Sequence, residues 1–315
     1  MGFNAARDGM GGHPPIAVIS SAEVHQSAIK ACGILGLGRE AISKVPSHGG
    51  AIDLDAFRRA LSQVTGPAIV IANAAEVNTG AFDPIRSIAA ASAAHPGGAW
   101  LHVDAAFGLY AALAPELRPL LDGIELADSV ATDGHKWLNV PYDCGIVFVR
   151  DGGDLRNAFS ATASYLSLSD APAVWNAMDY VPEFSRRLRA LSVWCALRST
   201  GRDGMRKIVE RAIANTRQFA AWIAQQPELE LMAPAHLNIA CFRVRGDASP
   251  EREDDLTARV VEEMQRGGIA YVTATRWNGR VAIRAAFDNW TTSAEDVNSL
   301  QRAVMLAVTR AATNQ

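Results

Sequence analysis

A lysine acts as a nucleophile only through its uncharged amine, and Lys136 sits in a run suited to that, Thr132-Asp133-Gly134-His135-Lys136-Trp137-Leu138. The apolar Trp137 and Leu138 disfavour the ammonium, and an uncharged amine can condense with an aldehyde to give an imine. A lone His-Lys pair after a strand is ordinarily a solvated loop. Two further residues alter that reading: Asp104, which ends Trp100-Leu101-His102-Val103-Asp104, and His25, which follows Ser20-Ser21-Ala22-Glu23-Val24. A carboxylate can hold a proton on a ring nitrogen, and an imidazole can lie flat against a ring. Singly, Asp104 reads as a cap or turn residue and His25 as a surface or satisfied core histidine. Each gains weight only from the others.

The elements that must position these residues follow from the pattern of the first half. Short branched runs at residues 16–20, 68–73, 100–104, 129–132 and 145–150 alternate with helical stretches at 24–35 and 84–94, and Asp53 opens another helix. That alternation predicts an α/β fold with a mainly parallel sheet and flanking helices. Asp104 and Lys136 both fall at or just past strand carboxyl ends, where open α/β sheets gather their ligands. Beyond residue 151 an irregular stretch to about 182 leads into helices at 185–199 and 203–225. A strand at 237–244, a helix at 250–266, a hairpin of 271–277 with 281–287 closed by Asn278-Gly279, and a last helix at 293–311 follow. The expected division is a large domain over residues 1–180 and a smaller α+β domain over 181–315.

Bulk properties narrow the chemistry. A chain of 315 residues with 49% hydrophobic and 20% charged residues can bury a large core, and a net charge of −3 with well-mixed signs offers no field for nucleic acid. No apolar stretch is long enough to span a bilayer, and the first residues carry no signal-peptide pattern, so the expected location is the cytoplasm. Cys32, Cys144, Cys195 and Cys241 lie far apart, which predicts reduced core thiols. His13, His48, His95 and His236 lack ligand spacing, so no metal site is expected. Gly33, Gly36 and Gly38 follow a helix and lack the order of a dinucleotide loop, and Gly9-Met10-Gly11-Gly12 precedes a strand without opening a helix.

Pyridoxal phosphate makes four demands of a protein: an amine, an acid at the pyridine nitrogen, a flat or small group against the ring, and donors for the phosphate. Lys136, Asp104 and His25 with the small Ala105 and Ala106 meet the first three. The segments His25-Gln26-Ser27-Ala28-Ile29-Lys30-Ala31, Asn78-Thr79-Gly80-Ala81-Phe82-Asp83, His102-Val103-Asp104-Ala105-Ala106 and Asp133-Gly134-His135-Lys136-Trp137 occur in order, followed by Glu183-Phe184-Ser185-Arg186-Arg187-Leu188-Arg189-Ala190-Leu191. Together they resemble the group II pyridoxal phosphate-dependent amino-acid decarboxylases, of the aromatic-L-amino-acid decarboxylase type, from about residue 16 to the end.

That resemblance implies the fold-type I transferase architecture and a homodimer with cofactor sites near the subunit interface. It implies Lys136 as the Schiff-base lysine, Asp104 as the pyridine partner, His25 as the stacking ring, Ala106 as a cofactor contact and His135 near the phosphate, with Asn78 and Thr79 as further cofactor contacts. The activity implied is decarboxylation of an L-amino acid, aromatic ones included. A carbon–carbon lyase, an aldehyde-forming enzyme or an aminotransferase would need the same lysine and aspartate, and a catalytically silent truncated homologue is the rival of a different class. Only 24 residues precede His25, where the family carries a much longer segment with a phosphate-cradling loop, so the resemblance implies an amino-terminal truncation. The family's protonating tyrosine would fall near Ala177, with Tyr165 and Tyr180 close by. Arg186, Arg187 and Arg189 read as a solvated helix start, with a role in binding a substrate carboxylate or a phosphate left open.

Overall fold

Runs of branched and small residues that can be buried on both faces become the inner strands here. The computed structural model describes residues 16–160, 176–246 and 249–313. The chain passes through β1 (Ala17–Ser21), α1 (Gln26–Ile34), β2 (Ile42–Val45), a ribbon of β3 (Ser47–His48) and β4 (Ala51–Ile52), α2 (Leu54–Ser62), β5 (Ala68–Asn73), α3 (Ile85–Ala93) and β6 (Ala99–Asp104). Three 3₁₀ helices, Gly108–Leu113, Arg118–Leu121 and Ile124–Leu126, lead to β7 (Ser129–Asp133), β8 (Gly145–Val149) and α4 (Gly152–Phe159). A further 3₁₀ turn, Ala177–Tyr180, precedes α5 (Arg189–Ile223), β9 (Leu229–Leu231), β10 (Ile239–Val244), α6 (Pro250–Gly267), β11 (Thr273–Trp277), β12 (Arg280–Ala286) and α7 (Ala294–Thr313).

One sheet has the order β2-β1-β5-β6-β7-β8, parallel throughout except for β8. Residues 134–144 join β7 to β8 without a crossover helix, and a connection of that kind returns the chain antiparallel. In β6, Leu101 and Val103 enter the main core while Trp100, His102 and Asp104 take the opposite face. The register pairs Asn73 with Asp104 and Asp104 with Ala131, so the carboxyl ends of β5, β6 and β7 lie together. Over the same face α1 closes a smaller core of Val18, Val24, Cys32, Ile42 and Ile71.

The second sheet, β11-β12-β10-β9, is antiparallel, with α6 and α7 packed beside it. Its hairpin turns on Asn278 (φ 49°) and Gly279 (φ 77°), the two positive φ values that a tight two-residue turn needs. The long α5 is interrupted at Gly201 (φ 63°, ψ 179°), which corresponds to the gap between the two helices expected from sequence.

Several elements depart from expectation. Strand β2 is absent from the sequence reading because Ser43 and Lys44 are exposed between buried Ile42 and Val45, leaving no apolar run. The stretch after residue 151 is not irregular from its start: Asp151 caps α4 by accepting from the Gly153 N–H at 2.8 Å. Cys32, Cys144 and Cys241 are buried free thiols, but Cys195 is exposed. His13, Tyr165 and Gly9 to Gly12 lie outside the described residues.

Candidate active site

The outward face of the parallel sheet builds the site. Trp100, His102 and Asp104 on β6, Ser129, Ala131 and Asp133 on β7, and Ile69, Ile71 and Asn73 on β5 share that face by strand alternation. With α1 they line a cavity of about 660 Å³. His25, Asp104, Ala106, His135 and Lys136 all lie in its wall, brought together from segments far apart in sequence.

Lys136 Nζ is 3.0 Å from Asp133 Oδ2 and 4.1 Å from the centroid of the Phe107 ring. A carboxylate and an aromatic face thus hold the ammonium from two directions. Beneath it Trp137 is fully buried, donates its indole N–H to the Phe107 carbonyl at 3.0 Å and stacks on Tyr110. His135 Nε2 is 3.6 Å from the same Asp133 oxygen. Its Nδ1 lies 3.2 Å from the Cys144 N–H and 3.1 Å from the Cys144 carbonyl, so either tautomer finds a partner. The Tyr142 ring stacks on His135 at 4.3 Å.

Asp104 Oδ1 accepts the Ala106 N–H at 3.1 Å, which leaves its other oxygen for a further donor. Burial pushes the imidazole of His102, two residues back on the same face, below its ordinary value, against the pull of Asp104. His25 is the exposed N-cap of α1, its Nδ1 accepting from the Ser27 N–H at 3.3 Å. Asn78 and Thr79 are not among the residues that line the cavity. Asn78 Oδ1 accepts the Thr275 hydroxyl at 2.7 Å, and buried Thr79 bonds through both its N–H and its hydroxyl to Glu76. Sequence spacing cannot distinguish such a committed turn from a ligand contact.

Other participants were not singled out from sequence. Asp133 carries a readable signal, since it continues the alternation Ser129, Ala131 on β7. Asp288 carries none: it arrives from the segment after β12, where burial raises its carboxyl while Lys136 and Arg284 pull the other way. Two of the arginines engage the protein itself. Arg187 and Arg189 both grip Asp143, the latter at 3.0 and 3.2 Å, and Arg189 holds the Asp143 carboxyl down at about 2. Arg187 also donates to the Tyr142 carbonyl at 2.7 Å, so this grip fixes the turn whose tyrosine covers His135.

The donor set fits pyridoxal phosphate. An amine, a carboxylate with an oxygen to spare, an imidazole and a methyl-sized residue surround a cavity with room for a substituted pyridine ring.

Comparisons with known proteins agree with this chemistry. The pyridoxal-dependent decarboxylase conserved domain matches residues 14–245. Tryptophan decarboxylase 1 of Oryza sativa subsp. japonica is 29% identical over 294 residues, covering 89% of this chain and 57% of its own length. The L-2,4-diaminobutyrate decarboxylase of Rhizobium meliloti (strain 1021) is 31% identical over 282 residues, covering 86% and 56%. The crystal structure of Oryza sativa TDC with PLP and tryptamine superposes with a TM-score of 0.89 at 26% identity, over 98% of this chain and 65% of that one. The chain therefore spans less than two thirds of the length of these relatives. Because the domain match takes in well over half of the chain, and the same stretch holds the lysine, aspartate and histidine that line the cavity, the chain belongs to the pyridoxal-dependent decarboxylase family.

Proposed function

We propose that this protein is a pyridoxal phosphate-dependent carboxy-lyase that removes the α-carboxyl group of an L-amino acid. The observation that carries this reading is the convergence of Lys136, Asp104 and His25 on one cavity, with Asp133 holding the lysine amine in place. When bound, pyridoxal phosphate supplies an aldehyde for amines and a protonated ring that accepts the electrons released as the carboxyl group leaves. Lys136 would bind the cofactor through Nζ, and Asp104 would keep the proton on the pyridine nitrogen. His25 would offer a flat face and Ala106 a small one, while His135 would stand on the phosphate side. Asn78 and Thr79 would shape the wall through their bonds to Thr275 and Glu76 instead of touching the cofactor.

The proposed substrates are aromatic L-amino acids first, since tryptophan and tyrosine decarboxylases are among the relatives. An aldehyde product is the second reading, favoured by 27% identity over 281 residues to the phenylacetaldehyde synthase of Arabidopsis thaliana. The proposed assembly is a homodimer. Its support is a run of exposed apolar residues, Phe184 and Leu188 just before α5 and Leu191, Trp194 and Leu197 in its first turns. The division into residues 1–180 and 181–315 is supported by the separate sheets of Ala17–Val149 and Leu229–Ala286. A cytoplasmic location is proposed on the four free cysteines. Among the described residues no helix is long and apolar enough to cross a membrane.

The test is the visible spectrum of the purified protein with saturating pyridoxal phosphate, beside Lys136→Ala. An imine band in the parent that the variant lacks is the expected result, followed by amine and carbon dioxide from an aromatic amino acid. Absence of the band in the parent overturns the reading, and aldehyde in place of amine selects the second one.

A further inference from the structure

Asn139 stands three residues past Lys136 in a backbone conformation with φ 52°, which asparagine tolerates better than most residues. Its side chain does more than permit the turn. The two N–H groups of Nδ2 are shared among three carbonyls, those of Lys136 at 3.2 Å, Trp137 at 3.0 Å and, from a segment far along the chain, Asp288 at 3.0 Å. Oδ1 accepts the Trp290 N–H at 3.3 Å. One exposed amide thus knits the lysine loop to the segment that follows β12. That segment is in turn held by α5, where Arg211 donates to the Trp290 carbonyl and Asn215 Nδ2 donates to the Thr292 carbonyl at 3.1 Å.

We propose that Asn139 is a positioning residue that fixes Lys136 by tying its loop to residues 288–292, so that the carboxyl-terminal half of the chain sets where the lysine amine stands. The tie also anchors the backbone of Asp288, whose carbonyl is one of its acceptors. The alternative is that Asn139 serves only the left-handed turn. Glycine adopts that conformation without strain and has no side chain, so Asn139→Gly separates the two. Asn139→Asp keeps an acceptor for Trp290 but turns a carboxylate toward three carbonyls.

The first measurement is amide hydrogen exchange on the protein without cofactor. Both variants should exchange faster by about tenfold in residues 134–144 and 288–292 together, the factor that a net hydrogen bond is worth, with β1 and β5 unchanged. The second is the rate at which added pyridoxal phosphate forms its imine with Lys136, expected to fall by a similar factor in both. Parent-like behaviour of Asn139→Gly overturns the proposal in favour of the turn alone. Acceleration confined to one segment, or spread evenly over all strands, overturns it as well. The imine measurement rests on the proposed function. If the parent forms no imine, that reading fails, and the exchange measurement still decides this one.

Discussion

At the scale of single residues, the amine of Lys136 depends on groups that never touch it. Trp137 fills the floor below the lysine and pins the Phe107 carbonyl, which keeps the Phe107 ring against Nζ. Trp137→Phe should cost about 1–3 kcal/mol, because the buried carbonyl loses its donor. Trp137→Ala should cost about 3–5 kcal/mol through the cavity it leaves. Urea denaturation midpoints check the order, and equal losses in the two variants would remove the indole N–H from the account. The convergence of Lys136, Asp104 and His25 on one cavity was legible from their types and their placement at strand and helix ends, whereas Ala106 and His135 came from the resemblance. The bonds that Asn78 and Thr79 make were not legible, since their partners, Thr275 and Glu76, are matters of tertiary contact and turn geometry. Asp288 and Asn139 escaped for the same reason: their roles exist only once the segment after β12 has docked.

At the scale of elements, strands that are buried on both faces announced themselves, as with the Ile, Val and Ala of β1 and β5, and helices with capping residues did too. Asp53 illustrates the second, accepting the Ala56 N–H at 2.9 Å to open α2. The half-exposed β2 and the 3₁₀ run between Gly108 and Leu126 carry neither signal. In that run Gly108 is required by close approach, since a Cβ there would meet the Ala74 carbonyl oxygen at 2.3 Å. The break in α5 is a separate demand. Gly201 occupies a region of backbone space essentially reserved for glycine, so Gly201→Ala should lower stability by about 1–3 kcal/mol. Thermal unfolding checks it, and a stabilised variant would mean that α5 runs straight through.

At the scale of the whole molecule, Asp83 links three parts of the chain. It accepts the Ile52 N–H and the Asn73 N–H, each at 2.7 Å, and Asn73 reaches on to Ser21 at 3.1 Å. Burial nevertheless pushes the Asp83 carboxyl up to about 6 from an ordinary value of 3.8. A raised carboxyl means that the folded state binds the proton more tightly than the unfolded one. Stability should therefore fall as pH rises from about 4 to about 6 and then level off, by an amount on the order of 3 kcal/mol at most. Denaturation across that window should show the slope in the parent and a flatter profile in Asp83→Asn. Matching slopes would assign the effect to other groups.

The outermost strand of the parallel sheet has a consequence for how the molecule behaves in company. Strand β8 is the last in its sheet, with Val147 51% and Phe148 54% exposed. Among the described residues nothing pairs with its outer margin, which there offers amides and carbonyls beside apolar side chains, a template for a further strand. A net charge of only −3 provides little mutual repulsion to counter this. This five-residue margin is a place where an added strand would extend the sheet.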